Sequence, residues 1–174
     1  MEGAGPKYRK DQIVTWPHYE KSPGSPAWGD ATKEMQANAI DALIDASKKH
    51  GLDTSDTAHV LAIARHESGF NPYAAAGTTS ATGLGQFLDK TGNEYMLGGM
   101  NRWNINMQSD ALVSLFLKNK DKAVKLHLPE PYIYKYHHDG INSKQNEGKG
   151  LSISYEKVMP QLGNIYNVIQ KKIH

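Results

Sequence analysis

A chain of 174 residues fits one domain and can bury roughly two thirds of its unfolded surface, enough for a core without covalent staples. It has no cysteine, which excludes a disulfide framework, thiolate metal sites and cysteine nucleophiles. A formal charge of +2 is too small to argue for nucleic acid, and no apolar run approaches the ~20 residues of a membrane span.

Residues 1–29 carry Pro6, Pro17, Pro23 and Pro26 together with Gly3, Gly5, Gly24 and Gly29, a spacing that prevents a long helix. They predict an extended N-terminal arm, packed in part through Trp16, Tyr19 and Trp28. Residues 30–174 predict one mainly α-helical domain. A first helix starts at Asp30 as cap, presents Met35, Ile40, Leu43 and Ile44 at helical spacing, and stops at Gly51. A second starts after Thr54 or Ser55 and runs to about His66. Its Ala58, Ala62 and Ala64 favour close packing. From Ser68 to Gly85 the glycines and the run Gly77-Thr78-Thr79-Ser80 predict a loop with at most a short β ribbon. A short helix follows over about 85–96, then one capped by Ser109 to about Leu126, then one from Pro129 or Pro131 to about His138. Residues 139–152 read as a loop. A last helix, capped by Ser154 and kinked or delayed by Pro160, carries Val158, Leu162, Ile165, Ile169 and Ile173.

The segment Ala62-Ile63-Ala64-Arg65-His66-Glu67 sets a carboxylate at the end of an apolar, alanine-rich helix. If the helix is buried, the charged carboxylate is penalised and its pKa rises. A carboxylic acid still protonated near neutral pH can protonate a leaving oxygen, as glycosidases require. Position alone favours a solvated surface charge, because glutamates are mostly exposed. A second segment, Gly83-Leu84-Gly85-Gln86-Phe87, allows close backbone approach and offers an amide that can bind sugar hydroxyls.

Taken together, Glu67-Ser68-Gly69-Phe70-Asn71-Pro72, then Gly83-Leu84-x-Gln86-Phe87 and Thr91, resemble the signature of the soluble lytic transglycosylase domain, related in fold to goose-type lysozyme. The likeness is clearest from about Leu61 to Tyr95. It implies a lysozyme-like helical fold that degrades bacterial peptidoglycan, with Glu67 as acid/base and Ser68, Gly83, Gln86 and Phe87 at the sugar groove. Gly85 stands where that family usually has Met, which predicts a locally more open groove. The third motif of the family, Ala-Tyr-Asn-Ala-Gly, has an approximate counterpart in Tyr136-His137-His138-Asp139-Gly140. By position His138 replaces the Asn and His137 the Tyr, leaving Tyr136 as the aromatic group that holds the glutamate. Tyr155 resembles a tyrosine that closes the groove.

A zinc-protease reading of His66-Glu67 needs a second histidine at position 70, and that position is Phe70. His137-His138-Asp139 favours a groove-lining role over a metal site, so neither metal nor organic cofactor is expected. A two-carboxylate glycosidase needs a partner for Glu67. Asp89 is the candidate, weighed against a surface or capping role. A single acid/base suffices if the muramic acid C6 hydroxyl is the nucleophile, giving a 1,6-anhydro product; water as nucleophile gives a lysozyme-type hydrolase instead. A non-catalytic glycan-binding virion module is the third reading. The resemblance and the absence of a visible apolar signal near Met1-Glu2-Gly3 suggest a bacteriophage endolysin or virion-associated lysin. It would be a monomer acting on the periplasmic wall, with the cationic end Gln170-Lys171-Lys172-Ile173-His174 able to touch an anionic outer membrane weakly.

Overall fold

The computed structural model describes residues 31–75 and 79–173, so the expected N-terminal arm lies outside the described residues. The fold is mainly helical, with α1 Lys33–Lys49, α2 Thr54–Ser68, α3 Asp89–Glu94, α4 Ile105–Lys125, α5 Tyr132–Asp139, α6 Gly150–Ile153 and α7 Leu162–Ile173. Extended pairing among the described residues is limited to single bridges, Ala75 with Thr82 and Thr82 with Phe87, short of a ribbon. No helix among them is long and apolar enough to cross a membrane.

The helix starts differ from the sequence reading because the capping side chains sit upstream. The Asp53 carboxylate accepts the Asp56 N–H at 2.7 Å and starts α2. Asn104 accepts the Met107 N–H at 3.0 Å and starts α4, while Ser109, the expected cap, lies inside the helix and donates to the Ile105 carbonyl. Thr32 caps α1; Asp30 lies outside the described residues. The expected last helix is divided. After α6 the chain runs through a π turn, Ser154–Val158, and a 3-10 turn, Met159–Gln161, before α7. Pro160 lacks an N–H and cannot carry α-helical bonding across this point. Ser154 is buried within the π turn instead of capping.

α2 is the centre of the molecule. Thr57 through Ala64 are all buried, so the helix is enclosed on every face. It contacts α1, α4, α7 and the π turn, and its Ala58, Ala62 and Ala64 leave room for these neighbours. Around it, α1 supplies Ile40 and Leu43, α4 Leu112 and Phe116, and α7 Ile165 and Ile169, all 2% exposed or less. Each such side chain contributes about 1.5–3 kcal/mol by leaving water. The consequence for function is directional: α2 is held rigidly until its last turn, which breaks the surface at Arg65, His66 and Glu67.

α5 is anchored by an unusual pair. Lys135 is 1% exposed, yet its ammonium lies 3.2 Å from Asp139 and donates to the Ser143 hydroxyl and the Lys144 carbonyl, each at 2.7 Å. The Asp139 carboxylate also accepts the Gly150 N–H. Burial resists its ionisation, but the His138, Lys135 and Gly150 hydrogen bonds outweigh it and hold its pKa below the ordinary value. This pair fastens the loop 140–149 to α5. Removing one partner of a buried pair strands the other, so Lys135→Met is expected to cost about 3 kcal/mol, read as a lowered urea midpoint near neutral pH.

Candidate active site

The end of α2 is made by Gly69 and Phe70, both in the left-handed region at φ 60° and 61°. Gly69 adopts it freely; Phe70 is held there with its ring fully buried. The chain therefore turns sharply into the core and leaves Glu67 in the last helical turn. Ser68 is fully buried. Its hydroxyl sits 2.8 Å from the Ala64 carbonyl and 2.9 Å from the Leu84 carbonyl, and its one proton is shared between them. Ser68 was expected at the sugar groove. It instead ties the end of α2 to the glycine-rich loop, because nothing of its side chain reaches the surface.

The Glu67 side chain retains part of its surface open, while the carboxyl is enclosed by packed groups. Tyr134 of α5, fully buried, donates its hydroxyl to Glu67 Oε1 at 2.6 Å. Burial pushes the Glu67 pKa up to about 7, against the opposing effects of the Tyr134 hydrogen bond and the nearby His138. Burial and the adjacent Glu67 also push the Tyr134 phenol upward, so it stays a donor. The expected holder of the glutamate, Tyr136, is two residues away. Two residues turn about 200° around a helix, so Tyr136 faces the other way. It is buried against Tyr132 with the Lys122 ammonium 4.4 Å from its ring centre. Tyr134 was missed, although positions 134, 137 and 138 share one helical face with the two histidines.

That face surrounds Tyr134 with imidazoles. His137 stacks on it at 5.8 Å and 22°, His138 lies at 6.0 Å, and His66 of α2 meets it edge-on at 5.6 Å. Burial lowers the pKa of both His66 and His137 to about 4, reinforced in each by His138, so both rings are neutral at physiological pH. His137 Nε2 lies 2.8 Å from the Gly85 carbonyl and must donate to it, which fixes the tautomer. Thus His137 joins α5 to the same loop that Ser68 joins to α2.

The loop itself is a tight turn. Gln86 N–H donates to the Gly83 carbonyl, and Thr82 and Phe87 exchange both backbone hydrogen bonds. Gln86 has φ 54°, and its side-chain amide donates to the Ala74 and Gly83 carbonyls at 3.2 and 3.1 Å. A non-glycine residue in this region costs roughly 1 kcal/mol, and the two bonds hold the side chain in one orientation. Phe87 is buried against Tyr95 and His137, which makes it a wall behind the site. Gly85 does not open the groove as expected. A Cβ there would lie 2.7 Å from Phe87 Cε1 and 3.2 Å from Leu112 Cδ1, so the Phe87 ring fills the space.

Gln108 of α4 was not singled out by the sequence. It is buried, accepts the Leu84 N–H at 2.8 Å, and donates to the Pro72 and Arg102 carbonyls at 3.0 and 2.7 Å. One amide thereby joins both motif loops to α4. Gly83 gives it room: φ is +80°, and a Cβ would stand 2.6 Å from Gln108 Oε1. Gly83→Ala is expected to destabilise the protein by about 1–3 kcal/mol, seen as a lower thermal midpoint.

Asp89, the candidate second carboxylate, opens α3 with its side chain 60% exposed and ion-paired to Arg102. Its N–H donates to Ser80 at 3.0 Å. A solvated, paired carboxylate lacks the environment that tunes Glu67, which favours the surface role. Tyr155 is 53% exposed on the π turn and makes no hydrogen bond or ring contact among the described residues. No group of three or more His, Asp or Glu among the described residues is placed to hold a metal ion.

The site therefore brings together one tuned carboxylic acid, a phenol that holds it, neutral imidazoles and a glycine-rich loop presenting an amide. No curated protein and no solved structure matches the chain at a significant level. A family model described as phage tail lysozyme matches residues 38–151, a region that holds Glu67, Tyr134 and the glycine-rich loop around Gln86. Since that region covers more than half of the 174 residues, the chain belongs to the phage tail lysozyme family, whose name fits the degradation of peptidoglycan by a lysozyme-like domain.

Proposed function

We propose that the protein is a peptidoglycan lytic transglycosylase that cuts the β-1,4 bond between N-acetylmuramic acid and N-acetylglucosamine with Glu67 as its acid and base. The observation that carries this reading is the Glu67 carboxyl, enclosed, held by the Tyr134 hydroxyl and raised to about 7, while Asp89 is committed to Arg102. Protonated Glu67 gives its proton to the glycosidic oxygen as the bond from muramic acid C1 breaks, and the N-acetylglucosamine end leaves as an alcohol. The 2-acetamido oxygen of the muramic acid stabilises the positive charge developing at C1. The Glu67 carboxylate then takes the proton from the C6 hydroxyl as its oxygen bonds to C1. The product is a 1,6-anhydro ring, no water is consumed, and Glu67 is again protonated. In this reading Gln86, whose amide nitrogen is held by the Ala74 and Gly83 carbonyls, binds a sugar hydroxyl.

The family description is equally compatible with a second reading, in which water attacks C1 and the protein is a lysozyme-type hydrolase. We further take it to be carried with the virion and to act on the periplasmic wall as a monomer. Mass spectrometry of the muropeptides released from purified peptidoglycan separates the chemistries. Anhydro ends are expected; reducing ends would replace the transglycosylase by the hydrolase. Failure of the wild type to clear peptidoglycan at all would favour a glycan-binding virion module.

A further inference from the structure

Beside the acid, but opening on the other side of His137, lies a cavity of about 470 Å³ between α3, α4 and α5. Its volume is within the range of small-ligand sites. Tyr136 and Leu115 line it, His137 forms the wall toward Glu67, and Lys90 and Lys118 stand at its edge. Glu67 is not part of its lining, but His137, which is, stacks on Tyr134, whose hydroxyl holds Glu67.

The cavity is pre-formed. Its far wall is the chain 139–143, held by Lys135 through Ser143 and by Lys122 through the Ile141 carbonyl. Its charges are unevenly satisfied. Asp139 is already neutralised by Lys135 and hydrogen-bonded by Gly150 and His138. Lys90 and Lys118, by contrast, make no ion pair among the described residues. Glu94 adds one carboxylate to the lining. The cavity thus offers two ammonium groups without an ion pair among the described residues and one carboxylate, next to the His137–Tyr134 pair that backs Glu67.

We propose that this cavity binds the peptide stem carried by the muramic acid at the scissile bond, Lys90 and Lys118 meeting its carboxylates. The inference rests on the reading of peptidoglycan as substrate. Its chemistry follows from that polymer. The muramic acid lactyl group bears a short acidic peptide with a free C-terminal carboxylate, and many stems also carry a diamino acid whose ammonium suits Glu94. An N-acetylglucosamine has no such branch, so the cavity would select which sugar lies beside Glu67 and thereby set the bond that is cut.

The test compares glycan strands that keep their peptides with strands stripped by an amidase, using the wild type and the Lys90→Ala/Lys118→Ala double variant. Both lysines are exposed, and an unchanged melting curve checks the fold. The double variant is expected to lose about tenfold in kcat/KM on peptide-bearing strands and far less on stripped strands. Binding of an N-acetylmuramyl tetrapeptide, followed by calorimetry, is expected to weaken in parallel. Equal losses on both substrates, or full activity on peptide-bearing strands, would overturn the stem site. A wild type that cuts both kinds of strand equally well would also overturn it while leaving the proposed reaction standing. A wild type that cuts neither would remove both.

Discussion

Glu67→Gln is expected to lower the rate of peptidoglycan clearing by about a thousandfold or more, and at the same time to stabilise the protein above neutral pH. The amide fills the same space and can still accept from Tyr134, but it can neither deliver a proton to the glycosidic oxygen nor remove one from the nucleophile. The stability effect follows from the raised pKa. Below its ordinary value of 4.5 the carboxyl is protonated in both folded and unfolded chains and costs nothing. As the pH rises from there to about 7, the unfolded chain ionises while the folded site resists, so stability falls. Above about 7 both are ionised and the whole cost is present, on the order of 3 kcal/mol. Glutamine escapes that cost. Thermal melts should show the variant gaining on the wild type as the pH rises from about 5 to about 8. In the wild type, kcat/KM should fall as the pH rises through about 7, where the acid loses its proton. Equal clearing by both proteins would remove Glu67 from the mechanism; a stability gain independent of pH would contradict the buried, protonated acid.

The central helix and its terminal acid were legible because the signals are local. An alanine-rich apolar run followed by Glu67-Ser68-Gly69 states both a buried helix and its abrupt end, and α2 with its left-handed Gly69 is what such a run must form. The short helix expected from about residue 85 begins only at Asp89, because Gln86 and Phe87 are taken up by the turn that Gly83 allows. What failed was long-range. Ser68 looks like a groove residue until Leu84, sixteen positions away, is seen to take its hydroxyl. Gly85 looks like an opening until Phe87 folds over it. Gln108 has no motif around it, and its role exists only because Pro72, Leu84 and Arg102 converge on it. The exchange of Tyr134 for Tyr136 is of another kind. Matching the third motif letter by letter ignored helix geometry, whereas a face drawn through 134, 137 and 138 would have found the phenol from the sequence itself.

Tyr134→Phe is the sharpest test of that geometry. The ring is buried and keeps its packing against His66, His137 and His138, so the substitution removes little but the 2.6 Å hydrogen bond to Glu67. That bond does two things. It fixes the carboxyl in one orientation toward the glycosidic oxygen, and it favours the charged form, holding the pKa of Glu67 below the value burial alone would give. Without it the acid is expected to titrate higher, so the alkaline limb of kcat/KM should move upward from about 7. The second half-reaction needs Glu67 as a base poised near the C6 hydroxyl, and a carboxyl free to rotate meets that geometry less often. A fall of about ten- to a hundredfold in kcat is expected, with KM little changed, because the phenol is buried behind the acid and is out of reach of the sugar. The direction of the pH shift separates this role from a merely structural one. If Tyr134 served only to pack α5 against α2, the variant would lose stability and rate together and the alkaline limb would stay where it is. If the limb moves up while the melting curve holds, the phenol is the group that sets both the aim and the proton affinity of Glu67.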